Sequence, residues 1–173
     1  MFGVGEYVVY GNDGVCKVDA VGALNVDGRE SDKQYYTLLP VYPGGTRVYC
    51  PVGNDKVVMR RILSREETDQ LIRDIPEMPV LEVPDERARE NIYRTALKTC
   101  DCHELVRLIK TVHLRRETRL SRGKKVTAVD EKYFRVAEDQ LYGELAIPLA
   151  IDRSEVRRYI TEQIRESSEK PMR

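Results

Sequence analysis

The sequence contains no tryptophan, only two phenylalanines and only two histidines among its 173 residues. It has no run of about 18 apolar residues, so we expect no transmembrane helix. The opening residues, MFGVGEYVVY, lack the basic start and the long apolar core of a signal peptide. The four cysteines do not have the arrangement of a secreted disulfide framework. Together these absences predict a cytoplasmic protein with reduced thiols.

Sequence motifs of catalysis are also missing. There is no GxSxG, no glycine-rich phosphate loop and no Cys-His pair in a recognised setting. The 29 acidic residues are too scattered to nominate an acid–base pair. The segment Cys100-Asp101-Cys102-His103 could supply metal ligands, but a zinc site needs a second pair, and His113 stands apart on a predicted helix. We therefore expect no enzyme, no metal, no cofactor and no small-molecule substrate.

The formal net charge is zero, but the charges are unevenly distributed along the chain. Residues 1–79 carry 9 Lys and Arg against 12 Asp and Glu, whereas residues 80–173 carry 20 against 17. The strongest local excess lies between Arg107 and Lys125, where eight basic residues are opposed only by Glu117. A basic stretch of this kind indicates either a solvated helix face or a surface that binds an anionic partner.

The first half of the chain has the pattern of short β-strands separated by glycine-rich turns. Strands are predicted over residues 4–10, 15–21, 34–42, 46–52 and 56–60, with a turn at 25–28. In the second strand Cys16, Val18 and Ala20 share one face. Pro40 lacks an N–H and indicates an edge or a bulge. Five strands in about sixty residues favour a small barrel.

From Ser64 onward the pattern changes to helices with recognisable N-caps. Capping residues are predicted at Ser64, Asp85, Asp101, Thr127, and either Asp152 or Ser154. In the helix after Asp101, the buried arc is expected to include Leu105, Leu108, Ile109, Val112 and Leu120. The predicted fold is α+β, with a β-barrel over 1–62, a capped helix and proline-containing linker over 63–84, and an all-helical domain over 85–173.

Several segments together resemble a known family. They are VGEYVVYGNDGVCKV, YYTLLPVY…TRVYCPV and SREETDQLI, followed by LKTCDCHELVRLIKTVHLRRE and GKKVTAVDEKYFRVAEDQLYGELA. In order and spacing they are similar to the CarD/CdnL family of bacterial transcription regulators, from Phe2 to about Tyr159. The N-terminal half is also similar to the RNA polymerase-interacting domain of the transcription-repair coupling factor.

The resemblance implies a function in transcription initiation. A Tudor-like (SH3-like) N-terminal domain would dock on the RNA polymerase β subunit, and the helical domain would bind promoter DNA at the upstream edge of the bubble and stabilise the open complex. It further implies a monomeric, nucleoid-associated protein. Family members usually carry a tryptophan wedge before the first C-terminal helix, where this chain has LEVPDERAR. Leu81 or Val83 could serve as a weaker wedge.

Two sets of residues are candidates for these interfaces. The polymerase-binding candidates are the turn around Leu24 and the strand residues Arg47, Val48, Tyr49 and Pro51, with strand addition as the mode of binding. The DNA-binding candidates are Arg87, Arg89, Arg94, Arg115, Arg119, Arg122, Lys124 and Lys125. Of these, Arg115, Arg119 and Arg122 lie within about 60° on a helical projection and could form a phosphate-binding ridge.

Alternative interpretations are open for each set. Tyr49 and Val48 could simply complete the barrel. The arginines near residue 90 alternate with Glu86 and Glu90 and could form helix-surface pairs. At the level of the whole protein, the main alternative is a protein-only adaptor whose helical half recruits another protein to polymerase. A more distant alternative is a structural RNA-binding module.

Overall fold

A computed structural model describes residues 1–42 and 44–170 of the chain. Pro43 and residues 171–173, the end of the predicted helical domain, lie outside the described residues. The chain divides into two compact units between Ile62 and Leu63. The first is an antiparallel sheet and the second is helical, which confirms the predicted α+β class. None of the described helices is long and apolar enough to cross a membrane.

The N-terminal unit is one antiparallel sheet of five strands in the order β4-β3-β2-β1-β5. The strands are β1 Tyr7–Tyr10, β2 Gly14–Val26, β3 Arg29–Pro40, β4 Val48–Pro51 and β5 Met59–Arg61. Among the described residues β4 and β5 do not pair with each other. The sheet is therefore open, with β4 and β5 as its two edges, and does not close into the barrel expected from the strand count.

Strands β2 and β3 form a longer hairpin than the sequence pattern indicates. Asp27 and Gly28 alone make the turn, and both have the positive φ that a two-residue hairpin turn requires (52° and 78°). Because β2 continues to Val26, Leu24 lies on a strand, and its predicted place in a turn is wrong. Pro40, expected at an edge or a bulge, is the last residue of β3; it lies opposite Cys16 of β2, and β4 pairs with β3 only as far as Leu38.

A small core lies under one face of this sheet. Val8, Cys16, Val18, Tyr36 and Leu38 are buried in it together with Cys50. The predicted alternation in β2 is confirmed for its first two members. It fails at Ala20, which is exposed, because a register shift between Val18 and Ala20 interrupts the alternation of faces.

The C-terminal unit contains five α-helices in its described part, besides a short 3₁₀ helix at Ile75–Glu77. They are α1 Arg65–Asp74, α2 Glu86–Lys98, α3 Cys102–Ser121, α4 Ala128–Leu149 and α5 Arg153–Glu169. Each begins at a predicted cap, namely Ser64, Asp85, Asp101, Thr127 and Asp152. Ser64 and Glu67 form the full capping box. A side-chain cap therefore marks the start of each of these five α-helices.

The helical core includes residues that the sequence pattern misplaced. For α2 the sequence predicts an apolar stripe of Ile92, Ala96 and Leu97, but Tyr93 is fully buried there as well. Leu120 is 58% exposed, so its predicted place in the buried arc of α3 is wrong. It lies in the last turn of α3, beyond Val112, the last residue of this helix that is buried in the core.

The segment before α2 packs with the helices. Leu71 and Ile72 of α1 are buried in the same core as α3 and α4. Leu81 is buried there too, and its backbone N–H donates a hydrogen bond to Thr111 Oγ1 (2.8 Å). Residues 63–84 are thus part of the helical unit, not a separate connection.

Candidate functional site

The edge strand β4 is the main feature of the N-terminal unit that a partner could use. It pairs with β3 alone, from Leu38 opposite Val48 to Tyr35 opposite Pro51. In the described part of the unit no strand covers the outer edge of β4. Its outward backbone N–H and C=O groups are therefore available for a strand from another chain.

Side chains along β4 alternate between the core and solvent. Val48 and Cys50 face the core of the sheet, whereas Arg47, Tyr49 and Pro51 are exposed. Arg47 Nη2 lies 3.9 Å from Asp19 Oδ2, and the Arg47 side chain is 59% exposed. Three of the predicted polymerase-binding residues thus share the outer face, while Val48 contributes packing and backbone.

Leu24 is not brought to this edge. It is half-buried on β2, and β3 separates β2 from β4. A partner that adds a strand to β4 would not reach Leu24 through backbone pairing. The structure therefore does not join it to the β4 site.

In the helical unit, the most organised polar cluster lies between α2, α3 and α4. Arg115 donates from Nε to Asp130 Oδ2 and from Nη1 to Glu86 Oε1, both at 2.7 Å. Arg89 donates to both oxygens of Glu86 (2.9 and 3.1 Å) and to the hydroxyl of Tyr93 (2.9 Å). The Tyr93 hydroxyl in turn donates to Asp130 Oδ1 (2.9 Å). We call these five residues the arginine clamp cluster.

The side chains of the arginine clamp cluster differ in burial: four are buried or mostly buried, and one is exposed. Tyr93 and Asp130 are almost completely buried, and Arg89 and Arg115 are mostly buried. The Glu86 side chain is 68% exposed. Hydrogen bonds from Arg89 and then Arg115 lower the pKa of Glu86 to about 2, so it carries a full negative charge near neutral pH.

The predicted phosphate ridge on α3 does not form as a continuous row. Arg115 turns inward to Asp130 and Glu86. Arg119 donates from Nε to the carbonyl of Lys125 (2.8 Å) and so fixes the loop between α3 and α4. Only Arg122 of the three is fully exposed. The ridge prediction treated all three as equivalent because helical projection cannot show what a side chain pairs with.

The remaining DNA-binding candidates lie at the surface. Arg122, Lys124 and Lys125 cluster in the loop between α3 and α4, and we call them the loop cations. Arg87 is exposed on α2, and Arg94 pairs with Glu90 at 3.4 Å. The pairing that the sequence suggested as an alternative, between arginines and the glutamates of α2, is thus present for Arg94 and Arg89.

Sequence reasoning missed the roles of three other basic residues of α3. Lys110 donates from Nζ to the carbonyls of Ile75 (2.7 Å) and Met78 (2.6 Å). Arg107 donates to the carbonyl of Pro79 (3.1 Å). The guanidinium of Arg116 lies 4.7 Å from the centre of the Phe134 ring. The signal was available, since a proline-containing segment leaves carbonyls without helical partners and basic side chains can satisfy them.

An apolar groove of about 300 Å³ lies beside the arginine clamp cluster. Its walls are the segment Val80–Val83 and the α3 residues Thr111, Leu114 and Thr118, with Arg89, Arg115 and Arg119 also lining it. Leu81 is buried and Val83 half-buried, so neither projects as the wedge considered from the sequence. Leu114 is 54% exposed at this groove.

The cysteine–histidine segment has a structural role in α3. Asp101 caps the helix by accepting from the N–H of His103 (2.7 Å). Cys102 is buried and its thiol donates to Glu144 Oε1 (3.3 Å). Across the described residues, no group of three or more His, Cys, Asp or Glu side chains is placed to hold a metal ion.

These observations define the N-terminal unit as a small docking module, an open antiparallel sheet with an uncovered edge strand and an exposed arginine and tyrosine on it. Residues 2–63 match the model of the CarD-like/TRCF RID domain. This N-terminal unit therefore belongs to that family of RNA polymerase-interacting domains. The match ends at residue 63, and the helical unit lies outside it. A comparison with curated proteins gave no match.

Proposed function

We propose that the chain is a bacterial transcription regulator that docks on the RNA polymerase β subunit through β4 and contacts promoter DNA through its helical unit. Docking on polymerase is supported by the family match over residues 2–63, combined with the uncovered edge of β4. Strand addition supplies backbone hydrogen bonds, and Arg47 and Tyr49 supply specificity from the outer face.

The second half of the proposal rests on the exposed cations of the helical unit. The loop cations and Arg87 are the solvent-facing basic side chains best placed to neutralise DNA phosphates. Contact near the upstream edge of the bubble would stabilise the open complex if these groups bind melted DNA better than closed duplex. Only such differential binding shifts the opening equilibrium, and ~1.4 kcal/mol corresponds to tenfold.

A protein-only adaptor is the second candidate, and one observation favours it. Two of the eight predicted DNA-binding residues, Arg89 and Arg115, are engaged inside the unit, while Leu114 is exposed beside an apolar groove. In this alternative the helical unit recruits another protein to polymerase. DNA binding that depends on salt separates the two candidates, because a protein–protein contact at the groove does not require phosphate neutralisation.

The polymerase contact is tested with the double variant Arg47→Glu, Tyr49→Ala in the full chain. We expect capture of purified polymerase to fall at least about tenfold, since a reversed charge and a lost aromatic remove the specificity of the strand contact. Capture is measured by co-purification and by binding to the isolated β subunit.

The matched control lies at the opposite edge of the same sheet. Val58→Ala with Arg61→Glu makes the same reversal of charge and also shortens an exposed apolar side chain, beside and within β5, where both residues are exposed. This control should bind polymerase like the unmodified protein, with both variants showing the same unfolding transition. Equal loss in both variants would rule out β4 as the docking edge.

A further inference from the structure

The carboxylate of Glu86 occupies a position with the chemistry of an anion-binding site. Two guanidinium groups, from Arg89 and Arg115, converge on it with three hydrogen bonds between 2.7 and 3.1 Å. Arginine presents planar N–H donors that suit carboxylates and phosphates equally. The Glu86 carboxylate therefore occupies the hydrogen-bond donors that a tetrahedral oxyanion, such as a phosphate group, could also use.

The two arginines are fixed independently of Glu86. Arg89 is also held by the hydroxyl of Tyr93, and Arg115 by the carboxylate of Asp130. Tyr93 and Asp130 are buried, whereas Glu86 is exposed to solvent and belongs to the first turn of α2. Rotation of the Glu86 side chain alone would open the site, and both donors would remain in place.

The charge balance permits an exchange of anions. Without Glu86, the two arginines and Asp130 carry one net positive charge. A phosphodiester group carries one negative charge and restores the neutrality that Glu86 provided. Because the arginines are already desolvated and ordered, the exchange needs little further loss of side-chain freedom.

We propose that Arg89 and Arg115 form a phosphate-binding clamp that Glu86 occupies in the unbound protein, and that a backbone phosphate of nucleic acid displaces Glu86. The choice of nucleic acid as the source of the phosphate rests on the proposed function. It is supported by the apolar groove that Arg89 and Arg115 help to line, with Arg119 beside them, which offers a surface for the sugar or base next to the phosphate. Glu86 would thereby act as a gate on this clamp.

The clamp is tested first with inorganic phosphate and the full chain carrying Glu86→Gln or Glu86→Ala. We expect both variants to bind phosphate at least about tenfold more tightly than the unmodified protein, since the competing carboxylate is gone. NMR resonances of the Arg89 and Arg115 side-chain N–H groups report the titration directly. Adding Arg89→Gln to Glu86→Gln should remove the gain.

Glu90→Gln is the matched control. Glu90 lies one turn further along α2, accepts from the Tyr133 hydroxyl (3.1 Å) and pairs with Arg94. This variant changes the net charge equally but leaves the clamp occupied, so it should bind phosphate like the unmodified protein. If the Glu86 variants gain no more than Glu90→Gln, the clamp does not exist.

A second arm uses single-stranded and fork-junction DNA. Glu86→Gln should bind DNA more tightly, and adding Arg89→Gln to it should make the slope of log K against log[salt] shallower by about 0.7 to 0.9, because one phosphate contact is lost. A gain with inorganic phosphate but none with DNA would overturn the assignment to nucleic acid. Should the unmodified protein and the variant both fail to bind DNA, the proposed function fails, while the phosphate titration still decides whether the clamp exists.

Discussion

Asp130 shows how one buried charge can determine the behaviour of its neighbours. It is almost excluded from solvent and accepts hydrogen bonds from Arg115 and Tyr93. A buried carboxylate requires such partners, because desolvation of an unpaired charge is costly. Through them it connects α2, α3 and α4, and it draws Arg115 away from the surface where helical projection had placed it.

Replacing Asp130 with Asn should therefore destabilise the helical unit. The amide can still accept from Tyr93, but it leaves the mostly buried Arg115 without its buried counter-charge. We expect a loss of about 2–3 kcal/mol in the free energy of unfolding, measured by urea denaturation.

The adjacent residue supplies the control for this substitution. Glu131 is exposed and reaches Arg135 only at 3.8 Å. Glu131→Gln should change the free energy of unfolding by less than about 0.5 kcal/mol. A similar cost for both variants would mean that the buried pair contributes no more than a surface charge.

At the scale of the element, the basic side chains of α3 divide into those that are engaged inside the helical unit and those that remain exposed to solvent. Its basic side chains bind backbone carbonyls of the segment before α2 (Arg107 and Lys110), stack on an aromatic ring (Arg116), or join the arginine clamp cluster (Arg115). The count of positive charges over this helix therefore overstates the charge available to a partner. What remains for phosphate contact is concentrated at the C-terminal end of α3 and in the loop that follows.

Neutralising the loop cations together should reduce DNA affinity. Arg122→Gln, Lys124→Gln and Lys125→Gln remove exposed charges without breaking a described ion pair. Each lost phosphate contact should make the slope of log K against log[salt] shallower by about 0.9 on duplex DNA, and the loss of all three should make it shallower by about 2.7. Fluorescence anisotropy with fork-junction DNA over a range of salt concentrations gives this slope.

The same change of net charge elsewhere on the unit provides the comparison. Arg73, Arg158 and Arg165 are exposed on α1 and α5. Their joint replacement by Gln should leave the slope near that of the unmodified protein. If both triple variants lower the slope equally, general charge and not the α3–α4 loop governs binding.

Helix starts could be predicted from the sequence because each depends on residues two or three positions apart. Ser64, Asp85, Asp101 and Thr127 bond to N–H groups of their own first turn. What failed depends on distant parts of the chain. The exposure of Ala20 follows from a register shift against β3, and the open sheet reflects the absence of pairing between its two edge strands.

The candidate sites show the same difference between features set by neighbouring residues and features set by distant parts of the chain. The outer face of β4 was predictable, since alternation along a strand places Arg47, Tyr49 and Pro51 together. The arginine clamp cluster was not, because Arg115 and Asp130 belong to different helices and meet only after packing. The sequence shows where each arginine lies in the chain, but the ion-pair partner that it meets in the fold decides whether its charge is available to bind another molecule.

At the scale of the whole molecule, covalent connection lets two weak contacts act together. A docking module of 62 residues is followed directly by the helical unit. If the first unit docks on polymerase and the second contacts DNA, as we propose, the second would meet DNA at a high effective concentration, so modest intrinsic affinity would be enough. In this proposed arrangement, tight independent DNA binding by the helical unit is unnecessary.

The missing tryptophan gives the last prediction, at this same scale. A minor-groove wedge stabilises a distorted base step, so its benefit appears on melted DNA and not on closed duplex. Glu82 is exposed, whereas Leu81 is buried and its N–H is bonded to Thr111. Glu82→Trp is therefore the substitution that can add a wedge without disturbing the core, and we expect it to lengthen the lifetime of open complexes formed with purified polymerase severalfold.

The charge change needs its own control, because Glu82→Trp also removes a negative charge, and that loss alone would favour binding to phosphates. Glu82→Gln makes the same change in charge without an aromatic ring. Leu81→Trp and Val83→Trp, at positions that are buried and half-buried, should instead lower the stability of the helical unit. Polymerase capture should be equal for the Trp and Gln variants at position 82, since β4 is unchanged in both. If the two also give equal open-complex lifetimes, the segment before α2 does not meet the melted DNA, and the helical unit must act through the loop cations, the arginine clamp or a protein partner.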